Sequence, residues 1–187
     1  QGANSIAVGT AASASQTNSI AVGMGAKTGQ ANSIAIGTGA VTTAGSNSIA
    51  IGNGASATAN DNVVLGTGAI SKTYNNVAIG NNAQALGNNN VVLGLNAVSN
   101  FSGSVVLGRN ANSIANGTVA IGENAFAGSG GNVVVGQNAT SSGNNSVAMG
   151  SNSNAQGAAS VAIGNLASAS TAINAATGRV QGGYGVA

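Results

Sequence analysis

The chain has 187 residues, of which 31 are glycine, with no proline, cysteine, histidine or tryptophan. Its charged side chains are Lys27, Lys72, Arg109, Arg179, Asp61 and Glu123, for a net charge of +2. Charge this sparse and scattered excludes the basic stripe of a nucleic-acid-binding protein. The missing Cys and His remove the ordinary metal clusters and the thiol and imidazole nucleophiles, so no catalytic residue, metal site or cofactor is expected. No run is apolar enough to span a membrane as a helix, and regularly placed β-branched residues argue against disorder.

One pattern runs through the chain: a three-residue apolar triplet closed by glycine, as in Asn32-Ser33-Ile34-Ala35-Ile36-Gly37-Thr38-Gly39-Ala40. The glycine recurs at 9, 23, 37, 52, 66, 80, 94, 108, 122, 136, 150 and 164, in 14-residue steps except the 15-residue step from Gly37 to Gly52. A period this short suits one solenoid turn of two short strands and two tight corners. The predicted fold is therefore an all-β parallel solenoid of about twelve coils over residues 1–170. Gln1 already falls inside a repeat, so a piece of a longer protein is expected.

In each triplet the first and third members are large, as in Ile6 and Val8, Ile34 and Ile36, or Val147 and Met149. Residues two apart on a strand share a face, and these are expected to point into the coil. The middle members then point outward: Ala7, Ala21, Ala35, Ala50, Val64, Ala78, Val92, Val106, Ala120, Val134, Ala148 and Ala162. A stripe of such residues with no polar interruption is a large apolar surface. It reads as a subunit interface whose small side chains let neighbouring backbones approach.

Two residues after each glycine the chain carries Gly or Asn in ten of twelve repeats. Two residues before each triplet it carries Asn, Asp or Gly in eleven of twelve. These residues accept positive φ most readily, which predicts two left-handed corners per coil. Stacked Asn corners can also bond to one another as amide ladders.

A second, shorter strand follows the first corner, with small residues such as Ala26 and Thr28 facing inward. The residue between them varies from coil to coil and faces solvent. Among these outward positions Ile70, Val98 and Phe126, with Tyr74 and Phe101 nearby, form the candidate ligand-contacting patch. The extra residue of the long step is expected between Ala40 and Asn47. Past Gly164 the pattern decays, and residues 171–187 read as a degenerate capping coil leading to a further segment.

The repeated N-S-[IV]-A-[IV]-G-x-[GN]-A, as in Asn18 to Ala26 and Asn47 to Ala55, resembles the head repeats of trimeric autotransporter adhesins such as the Yersinia adhesin. That resemblance covers about residues 1 to 170. It implies a left-handed parallel β-roll, three copies side by side as a homotrimer, and display on a bacterial cell surface. It also implies an outer-membrane anchor in a missing C-terminal segment, and extracellular matrix proteins, host cells or abiotic surfaces as partners. Ala176-Thr177-Gly178-Arg179-Val180 does not match the neck that normally follows such a head.

Other readings fit the residues less well. An ice-binding or other crystalline-surface-binding solenoid needs a regular threonine array, whereas the outward second-strand positions here are irregular. Solenoid acyltransferases use longer turns and a catalytic histidine. Arg109 and Glu123 share a repeat position in successive coils, which places them as a surface ion pair rather than a reactive site. The expectation is a non-enzymatic, multivalent adhesin head.

Overall fold

The computed structural model describes residues 1–170, together with the backbone of two short strands, Ile173–Asn174 and Arg179–Val180. It divides into two compact units, Gln1–Asn96 and Ala97–Ala187. Both are β-solenoids, and no helix occurs among the described residues. About twelve coils are present in all, as the period requires.

In the first unit the triplets form the strands Ile6–Val8, Ile20–Val22, Ile34–Ile36, Ile49–Ile51, Val63–Leu65, Val77–Ile79 and Val91–Leu93. They pair in parallel and in sequence order, equivalent residue on equivalent residue. Two-residue strands, from Ser13–Ala14 to Gln84–Ala85, build the opposite wall in the same way. The second unit repeats the plan, with first strands from Val105–Leu107 to Val161–Ile163 and second strands from Val98–Ser99 to Ser168–Ala169. The extra residue is absorbed after the Thr28–Thr42 pairing and before the Ile34–Ile49 pairing, inside the expected interval. There the Asn47 amide reaches the Ala31 carbonyl at 3.2 Å, and the ladder resumes its phase.

The corners are the predicted ones. Residues two before each triplet have φ between 53° and 73°, and residues two after each anchor glycine between 55° and 67°. The pattern holds even at Ala11, Ala159 and Leu166, which lack the usual tolerance for it. The anchor glycines add a third positive-φ position, at 126–147°. A Cβ on Gly122 would lie 2.3 Å from the Gly136 carbonyl oxygen, so both backbone angle and stacking require glycine there.

The first strands alternate as expected, but with the opposite parity. Ala21, Ala35, Ala50, Val64, Ala78, Val92, Val106, Ala120, Val134 and Ala148 are fully buried inside their own coils, and Ala162 nearly so. Ala7, in the first coil, packs on Ala14, Ala21 and Ala26. The expected outward stripe is thus the core: from Ala21 to Ala162 these residues face inward, and Ala7 is half-buried at the first coil. The large flanking residues point out instead.

The reason is the width of the coil. Only residues 23–26 separate Val22 from Lys27, and only residues 29–33 separate Thr28 from Ile34. Corners this short leave room between the two walls only for small side chains, as the buried set shows. The interval accepts Ala, Ser, Thr, Asn and at most Val: Val64, Val92, Val106 and Val134 are the largest fully buried side chains. An inward Ile or Leu would overfill it.

Parity also buries the residue before each triplet. Ser19, Ser33, Ser48, Asn62, Asn76, Asn90, Ser104, Thr118, Asn132, Ser146 and Ser160 all lie inside. Buried polar groups need partners, and corner carbonyls supply many of them, although Ser160 Oγ has none among the described residues. Ser19 Oγ donates to the Gln16 carbonyl at 2.6 Å, and Asn62 Nδ2 to the Ala59 carbonyl at 2.7 Å. The column is also bonded along its length: Asn62 Oδ1 accepts from the Asn76 amide at 2.9 Å, and Asn76 Oδ1 from the Asn90 amide at 2.8 Å. Each coil is thus a thin shell around a polar spine and a small apolar core.

Ile173–Asn174 pairs antiparallel with Arg179–Val180, unlike the parallel coils before it. The rest of the capping coil expected over residues 171–187 lies outside the described residues.

Candidate functional site

With the small residues inside, each unit presents two outward faces. On the first-strand face of unit one, two aliphatic columns run coil to coil, Ile20–Ile34–Ile49–Val63–Val77–Val91 and Val22–Ile36–Ile51–Leu65–Ile79–Leu93. In unit two the columns are Val105–Val119–Val133–Val147–Val161 and Leu107–Ile121–Val135–Met149–Ile163. Parallel register with a constant period stacks like on like, so each side chain is half covered by its equivalents above and below. What remains is still substantial: Ile51 and Val91 are each 37% exposed and Ile121 36%. Columns of this length with no polar interruption form the kind of apolar patch that marks an association surface. The size and uniformity of these residues are the sequence signal for such a surface, although hydrophobicity alone directs them to the core.

The second-strand face is mixed. Val98, Asn112, Phe126 and Thr140 stack in one column of unit two. Ile70 stands between Ser56 and Gln84 in unit one. All three candidate contact residues, Ile70, Val98 and Phe126, point outward and are half-buried. The structure places Val98 and Phe126 on one column two coils apart, with Asn112 between them, and does not merge the three into one continuous apolar patch. Tyr74 and Phe101 are exposed, each in its own unit.

Along the corners the expected amide ladders are present. Asn18 Nδ2 donates to Asn32 Oδ1 at 3.2 Å and Asn32 Nδ2 to Asn47 Oδ1 at 3.3 Å. Asn124 Nδ2 donates to Asn138 Oδ1 at 3.0 Å, and Asn138 Nδ2 to Asn152 Oδ1 at 3.2 Å. Asp61 takes a ladder position as an acceptor from Asn47 Nδ2 at 3.1 Å. Arg109 and Glu123 pair at the surface, as their shared repeat position predicts. Such an exposed pair contributes under about 1 kcal/mol.

Among the described residues no three His, Cys, Asp or Glu side chains gather where they could hold a metal ion. The acids Asp61 and Glu123 fall in different units. The repeated chemistry on offer is therefore aliphatic contact on one sheet, and amide, hydroxyl and scattered apolar contact on the other.

No curated protein matches the chain. The model of the YadA head domain repeat matches residues 1–26, 25–40, 29–55, 44–69, 77–97, 102–125 and 133–153. Ile70, Val98 and Phe126 all fall in the gaps between these segments. The matched segments together span well over half of the sequence, and they coincide with the coils just described. The chain belongs to the YadA head domain repeat family.

Proposed function

We propose that this chain is the head of a homotrimeric bacterial surface adhesin, attaching by many weak contacts to host matrix, cells or abiotic surfaces. The observation that carries the reading is the parity of the first strands, which leaves uninterrupted aliphatic columns outside a fold belonging to an adhesin head family. Packing three copies through these columns buries the apolar surface and leaves each second-strand face for ligand. Each coil repeats the same modest contacts, so attachment gains strength by avidity rather than through one deep pocket. Few ion pairs are available to be screened, so salt has little effect. Anchoring to an outer membrane by a segment C-terminal to the head completes the proposal.

An ice-binding reading draws no support from the second-strand face, whose outward residues run Ser56, Ile70 and Gln84 in one unit and Asn112, Phe126 and Thr140 in the other.

The test has two arms. Light scattering should give about three times the 17.4 kDa chain mass. Beads coated with the head should hold to matrix proteins or plastic with little change from low to moderate salt, whereas the soluble head binds weakly. A clean monomer, or beads that release at moderate salt, would contradict the proposal.

A further inference from the structure

The second-strand face of unit two carries a flat aromatic platform. Phe126 and Gly128 lie on the same side of the strand, with Ala127 turned inward between them. Along the wall, the Ile114, Gly128 and Ser142 amides donate to the Ala127, Ser141 and Ala155 carbonyls, so these three residues stack in successive coils. Gly128 makes a notch in that row, and the Phe126 ring lies in it. A Cβ built on Gly128 would sit 2.9 Å from Phe126 Cε1 and 3.4 Å from Cζ. The ring therefore lies over Gly128, and the exposed Ile114 occupies the same row one coil before it.

Hydrogen-bonding groups border it. Asn112 and Thr140 flank Phe126 in register, and Thr140 Oγ1 donates to Asn154 Oδ1 at 3.1 Å. Asn112 Oδ1 is shielded from water and receives no hydrogen bond. As placed the oxygen is out of a ligand's reach, and a side-chain rotation that brings it to the surface lets it accept from a ligand hydroxyl. Among the described residues no charge lies on this face. Among the fully described residues of the unit the charged side chains are Arg109 and Glu123, paired with each other at the corner after the first strands.

We propose that this platform binds a neutral glycan, with a sugar ring stacked on Phe126 and its hydroxyls bonded to the flanking amides and hydroxyls. A pyranose has an apolar C–H face and a hydroxyl rim, which matches a flat ring edged by Asn112, Thr140 and Asn154. An anionic polysaccharide would find no cation here. A protein partner needs roughly 800 Å² per side with an apolar centre, and a ring and one isoleucine among amides do not supply it. Coils repeat at about 4.8 Å, so an extended glycan laid along the wall meets equivalent positions in successive coils.

This inference rests on the adhesin reading and is tested separately from it. Beads coated with the full chain are applied to immobilised cellohexaose, chitohexaose and maltohexaose, to heparin, and to collagen and plastic. Retention is expected on at least one neutral oligosaccharide, unchanged by moderate salt and absent on heparin. Phe126→Ser should weaken that retention roughly tenfold, the combined worth of ring stacking and buried area. Phe126→Tyr should restore it, and both variants should melt as the parent does. No retention on any neutral oligosaccharide overturns the proposal, as does retention unaltered by Phe126→Ser. If collagen or plastic still holds the beads, the adhesin reading survives that failure; if nothing holds them, it falls as well.

Discussion

Asn76 offers the sharpest test of an inward polar spine. Its side chain is 1% exposed and bonded on both sides. Nδ2 donates to the Thr73 carbonyl at 3.0 Å, to Ser71 Oγ at 3.0 Å and to Thr73 Oγ1 at 3.2 Å. Oδ1 accepts from the Asn90 amide at 2.8 Å. Asn76→Ala takes the acceptor from the buried Asn90 amide, at about 1–3 kcal/mol, while the Thr73 carbonyl keeps Ser71 Oγ at 3.3 Å. The expected loss is therefore about 1–3 kcal/mol, from one buried group left unsatisfied. Asn76→Ser should cost less, because serine fills the same position at Ser33 and Ser48 and reaches corner carbonyls there at 2.9 Å. Repeat folds open locally, so melting followed by circular dichroism should be joined by amide hydrogen exchange at Asn90. The amide should lose protection in Asn76→Ala and keep most of it in Asn76→Ser. An alanine variant with the parent's melting temperature and an unchanged Asn90 amide would refute the inward assignment.

Three further perturbations separate the parts of the coil. Gly122→Ala places a Cβ 2.3 Å from the Gly136 carbonyl oxygen at a φ of 132°, so unit two should fail to fold or should melt far below the parent. Asn124→Gly should be tolerated, whereas Asn124→Val should cost about 1–2 kcal/mol in chemical denaturation, since a β-branched residue resists its φ of 56°. Ala120→Asp puts an unpaired charge at a fully buried site and should unfold its coils. Ile121→Asp should keep the parent's circular dichroism and abolish the proposed trimer in light scattering; matching behaviour of the two variants would count against the parity.

Much of this architecture was legible because it is local and repeated. The spacing of Gly9 through Gly164 dictates the coil. Asn and Gly at fixed offsets mark the left-handed corners, since few residues tolerate that backbone. Alternation in Ala26-Lys27-Thr28 identifies which second-strand residues face out. Amide ladders follow from stacking identical corners. None of these inferences requires knowing the distance between the walls.

The facing of the first strands does require it. A period of two says that Ile34 and Ile36 share one face and Ser33 and Ala35 the other, but not which face is inside. Hydrophobicity favours burying the isoleucines. The tertiary structure reverses that choice, because corners of four and five residues leave a gap that alanine, serine and asparagine fill and isoleucine cannot. The same gap turns Asn62, Asn76 and Asn132 into internal struts, a role that polarity alone argues against. It likewise moves the candidate interface from Ala120 to its neighbours Val119 and Ile121. Sequence by itself determined the coil, its corners and its family; which side of each strand meets the world was decided by the width of the space between two walls.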